Sequence, residues 1–509
     1  MIGPAEKKRT AAPTEKKKPR KKRKGNPWVE NIESLVIAVV LALIIRTFVV
    51  EAFVIPTGSM ALSLYGNHFN VKCPNCGYKY ALGFNPPDSR IVPERVRCVN
   101  CGAMASAVPA YERGMPIPGH AGGDRILVNK ILYKFREPDR WDPFVFVNPN
   151  VRAEDRRPYK TTYIKRLVGL PGETLEIVRG DVVVDGTIQR KPADAQSRLW
   201  MPVYDINYEW TEGHPWKTTG NAWSLEGRRL VANGSNGGLA WVTYMGGKGR
   251  KGDVIRDDYG YDQDLTVENA SYLGRGAGLN VVTDVRVSFD VKTPGSGRLV
   301  LSLLCDDADD RAEIDFASRR ATLTRSGREL ASTELPAFSN AGTHHLEFYR
   351  LDYLLVLAVD GERAVEYDLW DPEAYRRWSE RGRNFADHVR RMRDMARQRD
   401  DTLALDGYKT SGVKLGADGS CELTNLKIHR DVYYTFKPKP ETKPRHYAGP
   451  WKIPEDCYFA LGDNSPESLD SRYWKDEDTT RNTSWVPADH LIGKALVIWW
   501  HPRRIRLIH

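Results

Sequence analysis

The chain has 509 residues, of which 41% are hydrophobic and 28% charged, the balance of a globular protein and not of a disordered or fibrous one. That length exceeds what one hydrophobic core organises, so two to four domains are expected at roughly 150 residues each. A net charge of +10 would suit a nucleic-acid binder, but residues 1–25 hold eight Lys and three Arg against only Glu6 and Glu15. The basicity belongs to one tail. A basic groove is excluded as its source, and nucleic acid is not an expected partner.

In chain order, residues 1–27 form the basic tail, too poor in large apolar side chains to fold. Residues 28–54 follow as an anchor. The run from Leu35 to Ile45, LVIAVVLALII, is wholly apolar, and FVVEAFVI continues it after Arg46 and Thr47. A spanning helix needs about 20 mostly apolar residues, which this segment reaches if Arg46 snorkels at one end and Trp28 sits at the other interface. A cleaved secretory leader is the competing reading, but no small-x-small cleavage site follows directly. Positive charge stays on the cytoplasmic side, so the chain from about residue 50 onward is expected outside the cytoplasm.

Residues 70–104 carry four cysteines. Short Val- and Ile-rich segments with Gly and Pro punctuation then read as strands: RILVNKILY at 125–133, FVFV at 144–147, TYIKRLVG at 162–169, TLEIV at 174–178 and DVVVDG at 181–186. The same style resumes at CYFALGDN (457–464) and LIGKALVIWW (491–500). The expected fold is mainly β: a discontinuous β-rich domain over 55–69, 105–194 and 431–509, interrupted by insertions. The 195–430 stretch reads as a second β unit, an inserted β-sandwich of jelly-roll type. HLEFYRLDYLLVLAVDG (345–361) is similar to concanavalin and laminin-G sandwiches. That likeness implies a glycan or protein ligand or a purely structural insertion. A basic stretch at 373–399 reads as a surface helix.

Chemistry concentrates in four places. Pro56-Thr57-Gly58-Ser59-Met60 presents a serine after a glycine, which permits a close backbone approach. Lys165 lies within Tyr163-Ile164-Lys165-Arg166-Leu167-Val168, an apolar strand that can desolvate an amine and lower its pKa. Gly462-Asp463-Asn464-Ser465-Pro466-Glu467-Ser468-Leu469-Asp470-Ser471-Arg472 supplies hydroxyls and an Asp/Arg pair. Gly123-Asp124-Arg125 precedes ILVNK. Each alone is commonplace; an ordinary loop serine and a snorkelling strand lysine are the bland readings.

PTGSM, GDRILVNK, YIKRLVGLPGE and GDNSPESLDSRYW, in that order behind an anchor, resemble the sequence boxes of bacterial type I signal peptidases. With the strands between them they span about a third of the chain. The resemblance implies a serine endopeptidase of the inner membrane, single-pass, with a cytoplasmic N-terminus and an extracytoplasmic catalytic domain. It implies preprotein substrates cut after small-x-small motifs at the bilayer surface, and no cofactor for catalysis. Ser59 would be nucleophile and Lys165 general base, with Ser468 orienting the amine. The Thr57 hydroxyl would help hold the oxyanion, and Asp470, Arg472 and Asp124 would be supporting residues. One departure is plain: the family usually reads x-Pro-Thr-Leu after the methionine, whereas this chain has Ala61-Leu62-Ser63-Leu64. The other readings are a membrane-anchored binding protein on a decayed protease scaffold, a Ser/Lys self-cleaving repressor and a zinc-ribbon nucleic-acid binder.

Cys73-Pro-Asn-Cys76-Gly and Cys98-Val-Asn-Cys101-Gly are near-identical knuckles separated by 21 residues. Paired CxxC loops suit structural zinc in a ribbon, and two disulfides are the rival in an oxidising compartment.

Overall fold

The computed structural model describes residues 27–83, 95–106, 120–149, 161–218, 222–234, 238–246, 254–261, 280–292, 296–305, 308–336, 342–383, 410–435, 447–474, 484–500 and 502–509. The basic tail and most of the 373–399 stretch lie outside them; its described part is a helix over Pro372–Arg383.

Two compact units form, Met1–Val50 and Glu51–His509. In the first, an α-helix over Pro27–Ile44 passes into a π-helical turn at Ile45–Val49. With no Pro or Gly from Val29 to Val49, nothing breaks the hydrogen-bond ladder. Asn31–Val49 is long and apolar enough to cross a membrane, and it is not buried inside the protein. A helix satisfies every backbone group internally, as lipid demands.

The second unit is mainly β. Its first sheet runs in the order Val50–Val54, Arg125–Asn129, Leu491–Trp500, Pro143–Val147, Thr162–Gly169, Cys457–Leu461 and Val486–Pro487, with Arg506–Leu507 beside Leu491–Trp500. Alternation sends Val145 into one core, with Met60, Leu64, Ile126 and Ile498, and Phe144 and Phe146 into another, with Leu167, Ala460 and Trp474. The sheet is therefore buried on both faces at the strand that carries Lys165, where Lys165 pairs with Phe144 and Arg166 with Pro143. A four-stranded sheet (Thr187–Ile188, Asp181–Val184, Thr174–Val178, Tyr447–Lys452) adjoins it.

Residues 201–430 build two antiparallel sheets of eight and seven strands. They share one core in which Val287, Phe289, Phe348 and Leu357 of the first meet Leu301, Leu323 and Leu415 of the second. Strand alternation was legible here, and the sandwich is as expected. The cysteine stretch forms two small hairpins: His68–Lys72 with Lys79–Gly83, and Arg95–Arg97 with Met104–Ser106.

Where the sandwich meets the four-stranded sheet, Asp181, Asp284, Asp352 and Asp431 bring their carboxylates within 4.8 Å of one another, all buried. Lys191 Nζ enters this group, 2.5 Å from Asp352 Oδ1 and 2.8 Å from Asp431 Oδ2. Burial works against the charged amine, but the facing carboxylates outweigh it and hold its pKa well above the ordinary lysine value. Burial pushes Asp352 up to about 7. Lys191→Met strands these acids without their cation and should cost about 3–5 kcal/mol in chemical denaturation at pH 8. Acids with raised native pKa values bind protons more readily when folded, so the deficit should shrink at pH 5. A loss under about 1 kcal/mol at pH 8, or a deficit that grows at pH 5, would contradict this account of the junction.

Candidate active site

The serine-bearing segment is pinned at both ends by one aspartate. Ile55 N donates to the Asp124 carbonyl at 2.9 Å, and Asp124 N to the Tyr65 carbonyl at 2.8 Å. Tyr65 N donates to Asp124 Oδ2 at 2.8 Å. Arg504 holds the same carboxylate through Nε at 2.7 Å and Nη2 at 2.6 Å, and lies over the Tyr65 ring at 3.6 Å. Between these ends, Ala61 N donates to Gly58 O at 2.9 Å and Leu64 N to Met60 O at 2.8 Å, while Met60, Ala61 and Leu64 are buried. The sequence Ala61-Leu62-Ser63-Leu64 thus closes a turn without the proline of the resembling family. Gly58 is required by space: a Cβ there would stand 2.2 Å from Tyr261 Cε1.

Lys165 Nζ stands 2.6 Å from Ser59 Oγ. The lysine is only 4% exposed, whereas Ser59 is partly open to solvent. Burial brings the Lys165 pKa down to about 8. Asp470 and Asp463 raise it and Arg472 lowers it, each by less than burial does. Neither acid is free to neutralise the amine. Asp470 is locked to Arg472, with Nε to Oδ1 at 2.8 Å and Nη2 to Oδ2 at 2.6 Å, and takes the Gly462 N–H at 2.9 Å. Asp463 is locked to Arg166 at 2.7 and 2.8 Å, both side chains fully buried.

The loop after Cys457–Leu461 clasps the serine segment directly. Asn464 N donates to the Ser59 carbonyl at 3.1 Å and Asn464 Nδ2 to the Gly58 carbonyl at 3.0 Å. Ser468 is buried in the same loop, but its Oγ has no hydrogen-bond partner, so the expected bond to the Lys165 amine is not formed. Gly462 leaves room for it, since a Cβ there would stand 2.1 Å from that oxygen. Thr57 is exposed next to Ser59. The structure therefore brings Ser59, Lys165, Thr57, Ser468, Asp470 and Arg472 into one neighbourhood, with Asp124 holding the segment ends.

Four contributors were not singled out from sequence. Arg166 and Asp463 lay inside quoted motifs without an assigned part, and a second charged residue next to Lys165 in an apolar strand was the available signal. Asn464 lay inside a quoted box without an assigned part. Arg504 gave no signal, being 380 residues from Asp124.

The four knuckle cysteines are buried, unbonded to one another and mutually within 4.8 Å. Cys73 Sγ lies 3.5 Å from Cys101 Sγ, and Cys76 Sγ 3.7 Å from Cys98 Sγ. These separations are far from the roughly 2.05 Å of a disulfide. They match the edges of about 3.8 Å that a tetrahedron with 2.3 Å metal–sulfur bonds requires. Both knuckles close alike: Gly77 N donates to Cys73 O and Gly102 N to Cys98 O, each at 2.9 Å. Gly77 and Gly102 adopt φ of 73° and 71°, a conformation that favours glycine.

Residues 110–214 and 395–500 match the family described as Signal peptidase, peptidase S26. The match to the signal peptidase family falls in two segments that together make up less than half of the chain. The matched residues include Asp124, Lys165, Ser468, Asp470 and Arg472, while Ser59 and the cysteines precede them. Among curated relatives, Signal peptidase I of Pseudomonas fluorescens is 31% identical over 115 residues, 22% of this chain and 40% of that protein. Signal peptidase I of Leptolyngbya laminosa is 28% identical over 161 residues, 32% of this chain and 52% of that protein. The chain thus spans about half the length of these relatives, or less. Among solved structures, a carbohydrate binding module from Bacillus subtilis aligns with 42% of this chain and 95% of its own at 10% identity, with a TM-score of 0.24. The match is interrupted between 214 and 395, and most of the sandwich strands lie in that gap.

Proposed function

We propose that this chain is a membrane-anchored serine endopeptidase that removes signal peptides from translocated preproteins, cutting after small-x-small motifs. One observation carries the chemistry: a lysine amine buried in apolar surroundings, 2.6 Å from a serine hydroxyl that faces solvent. A lysine with its pKa lowered to about 8 is in part the free amine near neutral pH and can act as a base.

In the first half-reaction, Lys165 Nζ accepts the Ser59 proton as Oγ bonds to the scissile carbonyl carbon. The Ser59 N–H and the Thr57 hydroxyl receive the negative charge that develops on the carbonyl oxygen. The Lys165 ammonium then gives its proton to the departing amine as the C–N bond breaks, leaving an acyl-serine. In the second, Lys165 takes a proton from water as its oxygen bonds to the ester carbon, and returns that proton to Ser59 Oγ as the C–Oγ bond breaks and the new C-terminal carboxyl is released. Ser468, buried nearby with an unpaired hydroxyl, is the group that would steady the amine between these transfers. Asp470 with Arg472, and Asp124 with Arg504, hold the loops in place.

The membrane is the proposed setting. The apolar Asn31–Val49 helix serves as a single anchor with the basic tail in the cytoplasm, so the protease faces the far side of a bacterial inner membrane. Val54, Trp499, Trp500, Ile505 and Leu507 are exposed on the second unit, a concentration of apolar side chains that suits contact with a bilayer. The test is cleavage of a preprotein bearing an Ala-x-Ala site by purified protein in detergent. Wild type should cut, and Ser59→Ala and Lys165→Ala should each fall by at least about a thousandfold. Absence of cutting by wild type, or full activity in either variant, would contradict the proposal.

The four cysteines are proposed to hold one structural zinc ion. The sulfur–sulfur separations support it, and four thiolates leave no open position for catalysis. Purified protein should contain close to one zinc per chain, lost in Cys98→Ser. Less than about 0.2 zinc per chain would rule out a structural site.

A further inference from the structure

The inserted sandwich sends one segment into the catalytic neighbourhood. Residues 255–261 leave it at a firmly tied base. Ile255 N donates to Ser411 O at 3.1 Å, and Val282 N to Ile255 O at 3.0 Å. The Asp257 carboxylate takes both the Asn280 N–H at 2.8 Å and Asn280 Nδ2 at 2.6 Å. Arg430, at the end of the strand Ser420–Arg430, donates from Nη2 to Asp258 O at 2.7 Å and lies over the Tyr259 ring at 4.8 Å.

The described part of this segment ends with two buried tyrosines, Tyr259 and Tyr261, and each meets a different part of the active centre. Tyr259 Oη donates to the Asp463 carbonyl at 3.0 Å. Asp463 binds Arg166, the neighbour of Lys165, and the next residue, Asn464, binds the Gly58 and Ser59 carbonyls. Tyr261 lies under the serine segment itself. Its ring fills the space that a Cβ on Gly58 would need and stacks on Tyr65 at 5.6 Å. Its hydroxyl donates to Asn67 O at 3.0 Å, and its carbonyl accepts from Gly83 N at 2.7 Å, so it also ties the first cysteine hairpin to the serine segment. Ordinary packing between neighbouring modules would not need both contacts to fall on residues adjoining the nucleophile and the base.

We infer that Tyr259 and Tyr261 are positioning residues for the Ser59–Lys165 pair, so that the inserted sandwich completes the active centre and is not a detachable appendage. The inference rests on the serine–lysine reading of the site. Tyr261 sets the height of Gly58 and therefore of Ser59 Oγ relative to the amine. Tyr259 fixes the loop that grips both the serine segment and the lysine strand.

The test uses the full chain in detergent, with Tyr261→Ala, Tyr261→Phe and Tyr259→Phe. Three readouts are taken: kcat and KM on an Ala-x-Ala preprotein, thermal unfolding, and amide hydrogen exchange of residues 56–65 and 462–468. Small displacements of reacting groups cost rate far more than binding. Tyr261→Ala should lower kcat on the order of 10- to 100-fold with KM within about threefold, and speed exchange in 56–65. Tyr261→Phe keeps the ring and should recover kcat to within about threefold of wild type. Tyr259→Phe removes one hydroxyl and should speed exchange in 462–468 and lower kcat by about threefold to tenfold. A folded Tyr261→Ala with wild-type kcat and exchange overturns the inference. Should Tyr261→Ala not fold, unchanged kcat and exchange in Tyr259→Phe overturn it equally. If wild type itself does not cut, the proposed function falls, and the exchange arms alone decide the inference.

Discussion

The centre depends on keeping one lysine amine out of water without giving it a carboxylate of its own. The chain contains the comparison needed to see this. Lys191 and Lys165 are both almost wholly buried, yet their pKa values move in opposite directions. Lys191 has Asp352 and Asp431 in direct contact and is held as a cation. Lys165 has Asp463 and Asp470 nearby, but Arg166 and Arg472 have claimed those acids. The Asp470/Arg472 pair therefore does more than brace a loop: Arg472 lowers the Lys165 pKa against the rise from Asp470.

Much of this was legible in the chain because it is local. Apolar alternation gave the strands, and a lysine flanked by Ile, Leu and Val gave the desolvated amine. The knuckle repeat gave the cysteine cluster, whose sulfur separations are compatible with a metal site. The sandwich followed from alternation over 284–370. What was not legible is non-local. Arg504 reaches Asp124 across 380 residues, and Tyr259 reaches Asp463 across 204. No periodicity encodes such contacts. The orienting part expected of Ser468 was legible as a motif, but its hydroxyl stands unpaired in this structure.

Two parts of the chain outside the residues matched to the signal peptidase family meet beside the serine. Gly83 of the first cysteine hairpin and Tyr261 of the segment that leaves the sandwich are hydrogen-bonded to each other beneath the serine segment. The altered turn after Met60 lies in this setting, with Leu62 packed against Tyr259 and Tyr261.

The most direct test of the central claim is the pH dependence of kcat/KM for preprotein cleavage, which reports groups of the free enzyme. Protonated Lys165 cannot accept the Ser59 proton, so activity should rise as pH increases and level off above the lysine pKa. Burial without a neutralising partner places that acid limb near pH 8, the value of about 8 to which Lys165 is lowered. A limb near the ordinary lysine value of about 10.4 would show the amine to be solvated or paired, and would contradict the account.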